Sequence, residues 1–278
     1  MFDRKAIGIA LALPSALFIA FAFLLPVAIL LAGSFRNSEG VVSVGNFTAF
    51  FAEPLSSSVF WRTLRLGLAV TAASAVLGYA TALAVVNLSP AASGRLVGLF
   101  VLPLMISPVA RTYAWIVILG RTGILNAALK GLGLTEEPLR LLFTETAIFI
   151  GLLQLFFPLM LLPLVSALEN LPADVVPAAR VLGASWLRIF REIVLPLTRE
   201  GLVVGGTLVF VGSLTAYITP AILGGSKVLM LETLLYQRVT VANDFLSASV
   251  ISVILIVMSV ATNALLKKLA SRSATTHA

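Results

Sequence analysis

Six long apolar runs constrain this chain more than any other feature. They occupy residues 7–33, 66–87, 96–119, 146–168, 201–223 and 247–266. Together they hold 139 of the 278 residues, and Arg111 is the one Asp, Glu, Lys or Arg among them. A helix needs about 20 apolar residues to cross a bilayer core. In lipid, backbone amides must be satisfied within the protein, which selects helices over open strands. A transmembrane barrel would need polar and apolar residues to alternate, and these runs do not. The pattern predicts an all-α membrane protein: six transmembrane helices in a single domain spanning 1–278.

Composition closes off other classes. Hydrophobic residues make up 59% and charged residues 11%, against about 25% charged in soluble proteins. A soluble enzyme, a disordered chain and a nucleic-acid-binding domain are excluded; the expected surroundings are membrane lipid. With no cysteine there is neither a disulfide nor a thiolate metal site. The single histidine, His277, lies one residue from the end and cannot found histidine catalysis or a polyhistidine metal site. No GxxxxGK[ST] loop is present, and Gly224-Gly225-Ser226-Lys227 lacks its spacing. HExxH is absent too, and no two carboxylates share a span. The expectation is a chain with no catalytic residue and no cofactor or metal of its own.

Six crossings put both termini on one side. That side, 1–6, 88–95, 169–200 and 267–278, carries ten Lys/Arg in 58 residues. The other, 34–65, 120–145 and 224–246, carries eight in 81. Lys/Arg bias marks the cytoplasmic face, so both termini are expected in the cytoplasm. The net charge of +7 then reads as topology rather than nucleic-acid binding. The first run exceeds the roughly 7–15 apolar residues of a signal peptide and is read as a retained helix.

Seven of the thirteen prolines lie inside spans: Pro14, Pro26, Pro103, Pro108, Pro158, Pro163 and Pro220. Each removes a backbone donor and tends to kink its helix. The Pro103/Pro108 and Pro158/Pro163 pairs make the third and fourth spans the candidates for a pathway. Ordinary helix curvature is the plainer alternative. Gly201-Leu-Val-Val-Gly205, continued by Gly206 and Gly212, permits close helix approach, with packing inside the chain favoured over a dimer seam. Arg111 is costly at depth. It either faces the pathway or bonds carbonyls freed near Pro108. Candidate pathway residues are Arg111, Tyr113, Trp115, Gln154 and Tyr217.

The long loop 169–200 is patterned. Asp174 is placed to cap a helix from Val175 to about Leu182, with Pro177 in its first turn and Gly183 as a left-handed stop. Val175, Ala178, Ala179 and Leu182 share one face of that helix. A two-turn helix is marginal alone and needs a surface to rest on. Trp186, Ile189, Phe190 and Ile193 line a second, amphipathic helix, which Leu195-Pro196 is expected to end.

The stretch Pro177-Ala178-Ala179-Arg180-Val-Leu-Gly183, nine residues, then Ile193-Val-Leu195-Pro196, resembles the EAA motif of binding-protein-dependent ABC importers. That pattern reads E-A-A, three residues, G, nine residues, I-x-L-P, and every spacing agrees. The resemblance implies a type I importer permease. It implies a coupling helix docked on two cytosolic ABC ATPase subunits, where ATP and Mg would bind. It also implies a second permease, non-identical, and a periplasmic or extracellular solute-binding protein. Asp174, Pro177, Ala178, Ala179, Arg180, Gly183, Leu195 and Pro196 become the ATPase-coupling residues. Pro177 stands where the family has glutamate, so that charged contact is not carried over; Arg180, Asp174 and Glu169 are charged candidates to replace it. Arg111-Thr-Tyr-Ala-Trp115, Gly123-Ile-Leu-Asn126, the Pro158 region and Leu223-Gly224-Gly225 resemble the spermidine/putrescine permease branch. A polyamine solute is the expectation this carries, although no intramembrane acid is available to meet a cation. The alternatives are another small solute, such as an amino-acid derivative, or an ion-coupled secondary transporter.

Overall fold

The computed structural model describes residues 4–36 and 40–272, with side chains for 11–36 and 40–268. His277 and the side chains of Arg4, Lys5 and Arg272 lie outside the described residues. Among those described, the regular elements are helices, with one β-bridge between Arg36 and Val42.

The chain opens with α1 (Arg4–Ile19), a π turn (Ala20–Leu24) and α2 (Leu25–Ser34). Then follow α3 (Gly45–Ala52), α4 (Pro54–Val86), α5 (Pro90–Met105), α6 (Pro108–Leu119), α7 (Ile124–Gly131) and α8 (Glu145–Glu169). The patterned loop holds α9 (Val175–Val181), α10 (Trp186–Ile189), a second π turn (Phe190–Val194) and α11 (Leu195–Leu197). The remainder is α12 (Arg199–Leu214), α13 (Ile218–Leu223), α14 (Leu231–Thr240) and α15 (Phe245–Arg272).

The first, second, fourth and sixth apolar runs lie on unbroken helical paths, as expected. The third and fifth do not. Run 96–119 divides at Ile106 and Ser107, between α5 and α6. Ser107 precedes Pro108, and the clash with a proline ring drives the preceding residue out of the helical region; its ψ is 129°. Run 201–223 divides at Thr215, Ala216 and Tyr217, between α12 and α13. With 16 residues, α12 reaches about 24 Å, short of the ~30 Å apolar core. It therefore cannot cross alone.

Proline does less damage elsewhere than its chemistry suggests. The helix α8 runs 25 residues through Pro158 and Pro163 without a break. Pro26 and Pro196 follow the two π turns, and the residues four before them, Ala22 and Glu192, lie inside those turns. A wide turn accommodates the donor that proline lacks.

Contacts divide the chain into two units: Met1–Ser58 with Leu235–Ile256, and Val59–Leu234 with Val257–Ala278. In the first, Phe35 and Phe47 pack at 5.1 Å, and Asn46 Nδ2 donates to the carbonyls of Ser34 and Arg36. Leu11, Phe18, Phe21 and Ile29 are exposed along the opening helix, as a lipid-facing span requires. The second unit is centred on α8, whose Ile148, Leu152, Met160, Leu161 and Leu164 are fully buried. Gly201 and Gly205 let α12 lie directly on it. A Cβ on Gly201 would stand 2.5 Å from the Pro163 carbonyl oxygen, and one on Gly205 2.8 Å from Met160 Sδ. The glycine pattern thus serves packing within the chain.

Candidate functional site

The loop between α8 and α12 projects a short, well-terminated helix. Asp174 does not cap it as expected. Its backbone is already helical (φ −86°, ψ −17°) and its side chain accepts no capping bond. Capping needs an extended backbone to aim the carboxylate at the first free N–H groups. Pro177 lies in the first turn and is exposed. The far end follows the expectation closely. Gly183 has φ +80°, its N–H reaches the Arg180 carbonyl, and the Ala184 N–H reaches the Ala179 carbonyl at 3.0 Å. This pair of bonds across a left-handed glycine is a Schellman termination.

The orientation of α9 corrects the expected face. Ala179 is buried and Val175 and Val176 are half-buried, whereas Ala178, Arg180 and Leu182 are exposed. Val181 and Leu182 are 88% and 87% exposed. Two neighbouring aliphatic side chains at a helix tip therefore have no cover among the described residues. Fully burying such side chains is worth about 1.5–3 kcal/mol each.

The second helix also departs from expectation. Ile189 is buried and Phe190 and Ile193 half-buried, but Trp186 is half exposed. Leu195 and Pro196 do not end the helix. The π turn absorbs Pro196, and helical backbone continues to Leu197. The stop comes at Thr198, where the Trp186–Leu197 stretch meets α12 at 68°. Thr198 is fully buried; its hydroxyl donates to the Val194 carbonyl at 2.7 Å and is met by the Tyr79 hydroxyl of α4. Nothing in the sequence pairs Tyr79 with Thr198, which lies 119 residues away.

The proposed pathway residues separate. Trp115 Nε1 donates to Gln154 Oε1 at 3.3 Å, and both line an open groove of about 450 Å³ with Leu77, Thr81, Phe100 and Phe157. Arg111 is buried and turns away, its guanidinium donating to the Pro103 carbonyl at 2.7 Å across the α5–α6 break. Tyr113 is exposed. Tyr217 stands at the α12–α13 break and is not part of the groove.

The segments 34–65, 120–145 and 224–246 carry several ion pairs. Glu145 accepts from Arg62 at 3.1 Å and Arg65 at 2.5 Å, and Arg62 also reaches the Leu229 carbonyl. Arg238 binds Glu53 at 2.9 Å. A hydrogen bond from Ser56, with help from Arg238, holds the Glu53 carboxyl below its ordinary value. Glu232, by contrast, is half-buried, and desolvation raises its carboxyl above the ordinary 4.5. No cluster of metal-binding side chains occurs among the described residues.

An all-helical, multi-pass chain that carries this loop between its fourth and fifth spans has the type I fold of ABC transporter permeases. The chain is 33% identical over 244 residues to the spermidine/putrescine transport system permease protein PotB of Haemophilus influenzae, covering 86% of this chain and 85% of that one. It is 34% identical over 191 residues to PotB of Escherichia coli, covering 69% of each. A crystal structure of a bacterial alginate ABC transporter, in complex with alginate pentasaccharide-bound periplasmic protein, superposes with TM-score 0.79. That match covers 97% of this chain and 95% of the other at 16% identity, a likeness of fold. The family model of the binding-protein-dependent transport system inner membrane component matches residues 9–274. The chain belongs to that family. It is a multi-pass inner-membrane permease subunit of an ABC importer, a transport component rather than an enzyme.

Proposed function

We propose that this permease imports a small amine of the polyamine class, handed to it by a soluble binding protein. The identity to the PotB proteins supports that solute. The groove at Trp115 and Gln154 supports the route. Pro158 has no N–H to offer the Gln154 backbone carbonyl four residues earlier, which leaves an acceptor for an ammonium group beside an aromatic ring. Acceptor oxygens and a π face can receive a cation where no carboxylate is present. Arg111 holds the α5–α6 break and stays out of the route; Tyr113 and Tyr217 lie away from it.

Work comes from outside the chain. Two cytosolic ATPase subunits, binding ATP and Mg, grip α9, with Pro177, Ala178, Arg180 and Gly183 on the exposed side and Ala179 facing inward. Leu195 and Pro196 carry the chain back toward the membrane. A second, non-identical permease completes the passage. Both termini are cytoplasmic, and the loops 34–65, 120–145 and 224–246 receive the binding protein.

The single observation carrying this reading is the uncovered Val181–Leu182 tip held out by the Gly183 termination. Because the chain has no cysteine, Leu182→Cys offers one cross-linking site. A maleimide cross-linker placed there in native membranes is expected to capture a nucleotide-binding subunit. Capture of lipid alone or of nothing refutes the docking. Uptake of labelled spermidine by the purified complex in liposomes tests the solute, and uptake unaffected by excess putrescine and spermidine rules the class out.

A further inference from the structure

One side chain of α4 touches both the middle and the membrane-side end of the segment that leads from the coupling helix into the membrane. The Tyr79 ring meets Phe190, the first residue of the second π turn, edge to face at 5.3 Å and 84°. Its hydroxyl meets Thr198 Oγ1 at the bend that follows. Direction follows from counting protons. A hydroxyl has one hydrogen to give, and Thr198 gives its own to the Val194 carbonyl. Tyr79 is therefore the donor, and the chain of bonds runs Tyr79 O–H to Thr198 Oγ1–H to the Val194 carbonyl. Both hydroxyls are buried, where a lost partner is costly.

The helix bearing Tyr79 cannot slide freely at this level. A Cβ on the neighbouring Gly78 would stand 2.9 Å from Met160 Cγ, and Met160 also abuts Gly205 of α12. So α4 and α12 press on the same α8 side chain. Beside the Tyr79 ring lies an apolar groove of about 460 Å³ lined by Ala75, Val76, Leu83, Trp186, Phe190 and Leu202. Packing on that flank is open, which leaves the hydroxyl as the specific tie.

We propose that Tyr79 is a positioning residue for energy coupling: its hydroxyl latches Thr198, so that movement of the α9–α11 segment carries α4 with it. If the segment shifted together with Thr198, at the bend that joins it to α12, with α4 left behind, the Tyr79–Thr198 bond would break. The inference rests on the reading of α9 as the ATPase-docking helix.

The test uses the complete importer in liposomes: this chain, its permease partner, its ATPase and its binding protein. For Tyr79→Phe, ATP hydrolysed per labelled spermidine imported is expected to rise at least about fivefold, with ATPase co-purification unchanged. Thr198→Val should do the same, Thr198→Ser should keep the wild-type ratio, and the double variant should be no worse than either single. Spin labels at Leu88→Cys and Leu187→Cys give a readout that needs no solute. Their separation should stay constant between nucleotide-free and vanadate-trapped states in the wild type and change in Tyr79→Phe. A Tyr79→Phe ratio within about twofold of wild type, or uptake and hydrolysis falling in proportion, overturns the latch. So does a Thr198→Ser variant that behaves like Thr198→Val. If Tyr79→Phe fails to insert, the two Thr198 variants decide. A working wild-type complex with an unaffected Tyr79→Phe variant overturns the latch alone. A wild type that captures no ATPase overturns the loop reading and the latch with it.

Discussion

Replacing Gly201 with alanine adds one methyl group to the most crowded helix contact in the second unit. The new Cβ would lie 2.5 Å from the Pro163 carbonyl oxygen and 2.7 Å from Ala167 Cβ. Carbon atoms prefer about 3.5–4.0 Å, so the carbon contact falls short by about 1 Å. Neither neighbour can swing aside, since one is backbone and the other is fixed to it. Separation of α12 from α8 would relieve the clash, but a radial gap of ~0.5–1 Å forfeits a quarter to a half of each contact along the seam. Overpacking of this kind costs about 1–3 kcal/mol. Gly206, five residues on, is the matched control. Its added Cβ would meet Leu266 and Thr71 at 3.7 and 3.8 Å, ordinary contact distances. There alanine gains up to about 1 kcal/mol of helix propensity and meets no clash. Alanine at Gly201 gains the same propensity, so the two substitutions should differ by the overpacking cost, about 1–3 kcal/mol, with Gly201→Ala the less stable. Unfolding of the isolated chain in mixed micelles with rising dodecyl sulfate, followed by tryptophan fluorescence, reads the difference. Equal midpoints, or a less stable Gly206→Ala, would refute the packing argument. Gly201→Ala that is neutral in the isolated chain and harmful only in the assembled importer would return the glycine pattern to an interface between subunits.

Two further outcomes follow from the geometry. Gly183 has φ +80° and open space around its missing Cβ, so backbone strain and not collision sets the effect of replacing it. A β-branched residue is a strong outlier at such a φ, whereas asparagine tolerates it; Gly183→Val should abolish uptake with insertion intact, and Gly183→Asn should retain most of it in the same liposome assay. Glu232 has a folded-state carboxyl raised above 4.5 by burial, so its ionised form weakens folding above that value and the penalty vanishes as pH falls below it. Glu232→Gln should accordingly raise the thermal midpoint at neutral pH and leave it unchanged near about pH 4, and an equal gain at both would refute the assignment.

Much of this architecture could be read from apolar run lengths, because a bilayer imposes a minimum length that few other environments impose. What could not be read is where a run breaks. Pro108 breaks the third span, while Pro158 and Pro163 leave α8 intact. Proline chemistry is the same in each case, so the residue type alone does not say whether the helix continues. The loop motif gave the Gly183 termination correctly, since left-handed backbone has a strong residue preference. It left open which side turns inward, because a seven-residue helix has apolar residues on more than one side, and the burial of Ala179 with half-burial of Val175 and Val176 selects it. Asn126 lay in a matched tetrad without an assigned task. In the fold it donates to the carbonyls of Gly120 and Leu139 and accepts from the Leu139 N–H at 2.8 Å. Such a staple depends on a loop path invisible before folding.

The interruptions share a physical logic. At membrane depth a carbonyl released from the helical ladder must find another donor. At the α5–α6 break the Pro103 carbonyl receives the Arg111 guanidinium. At the other two interruptions the ladder runs intact to the break and a hydroxyl adds to it. The Val194 carbonyl keeps its ordinary partner, the Thr198 N–H, and takes the Thr198 hydroxyl as well. The Val211 carbonyl likewise keeps the Thr215 N–H and adds the Thr215 hydroxyl. In each case the donor side chain comes from within eight residues of the carbonyl it serves, so the extra bond is written locally beside the break. This explains why an arginine can be tolerated in an otherwise uncharged run. Its charge is expensive in hydrocarbon, but here the guanidinium is buried against a carbonyl that the break has freed. Substituting it with an apolar residue would remove one cost and expose the other.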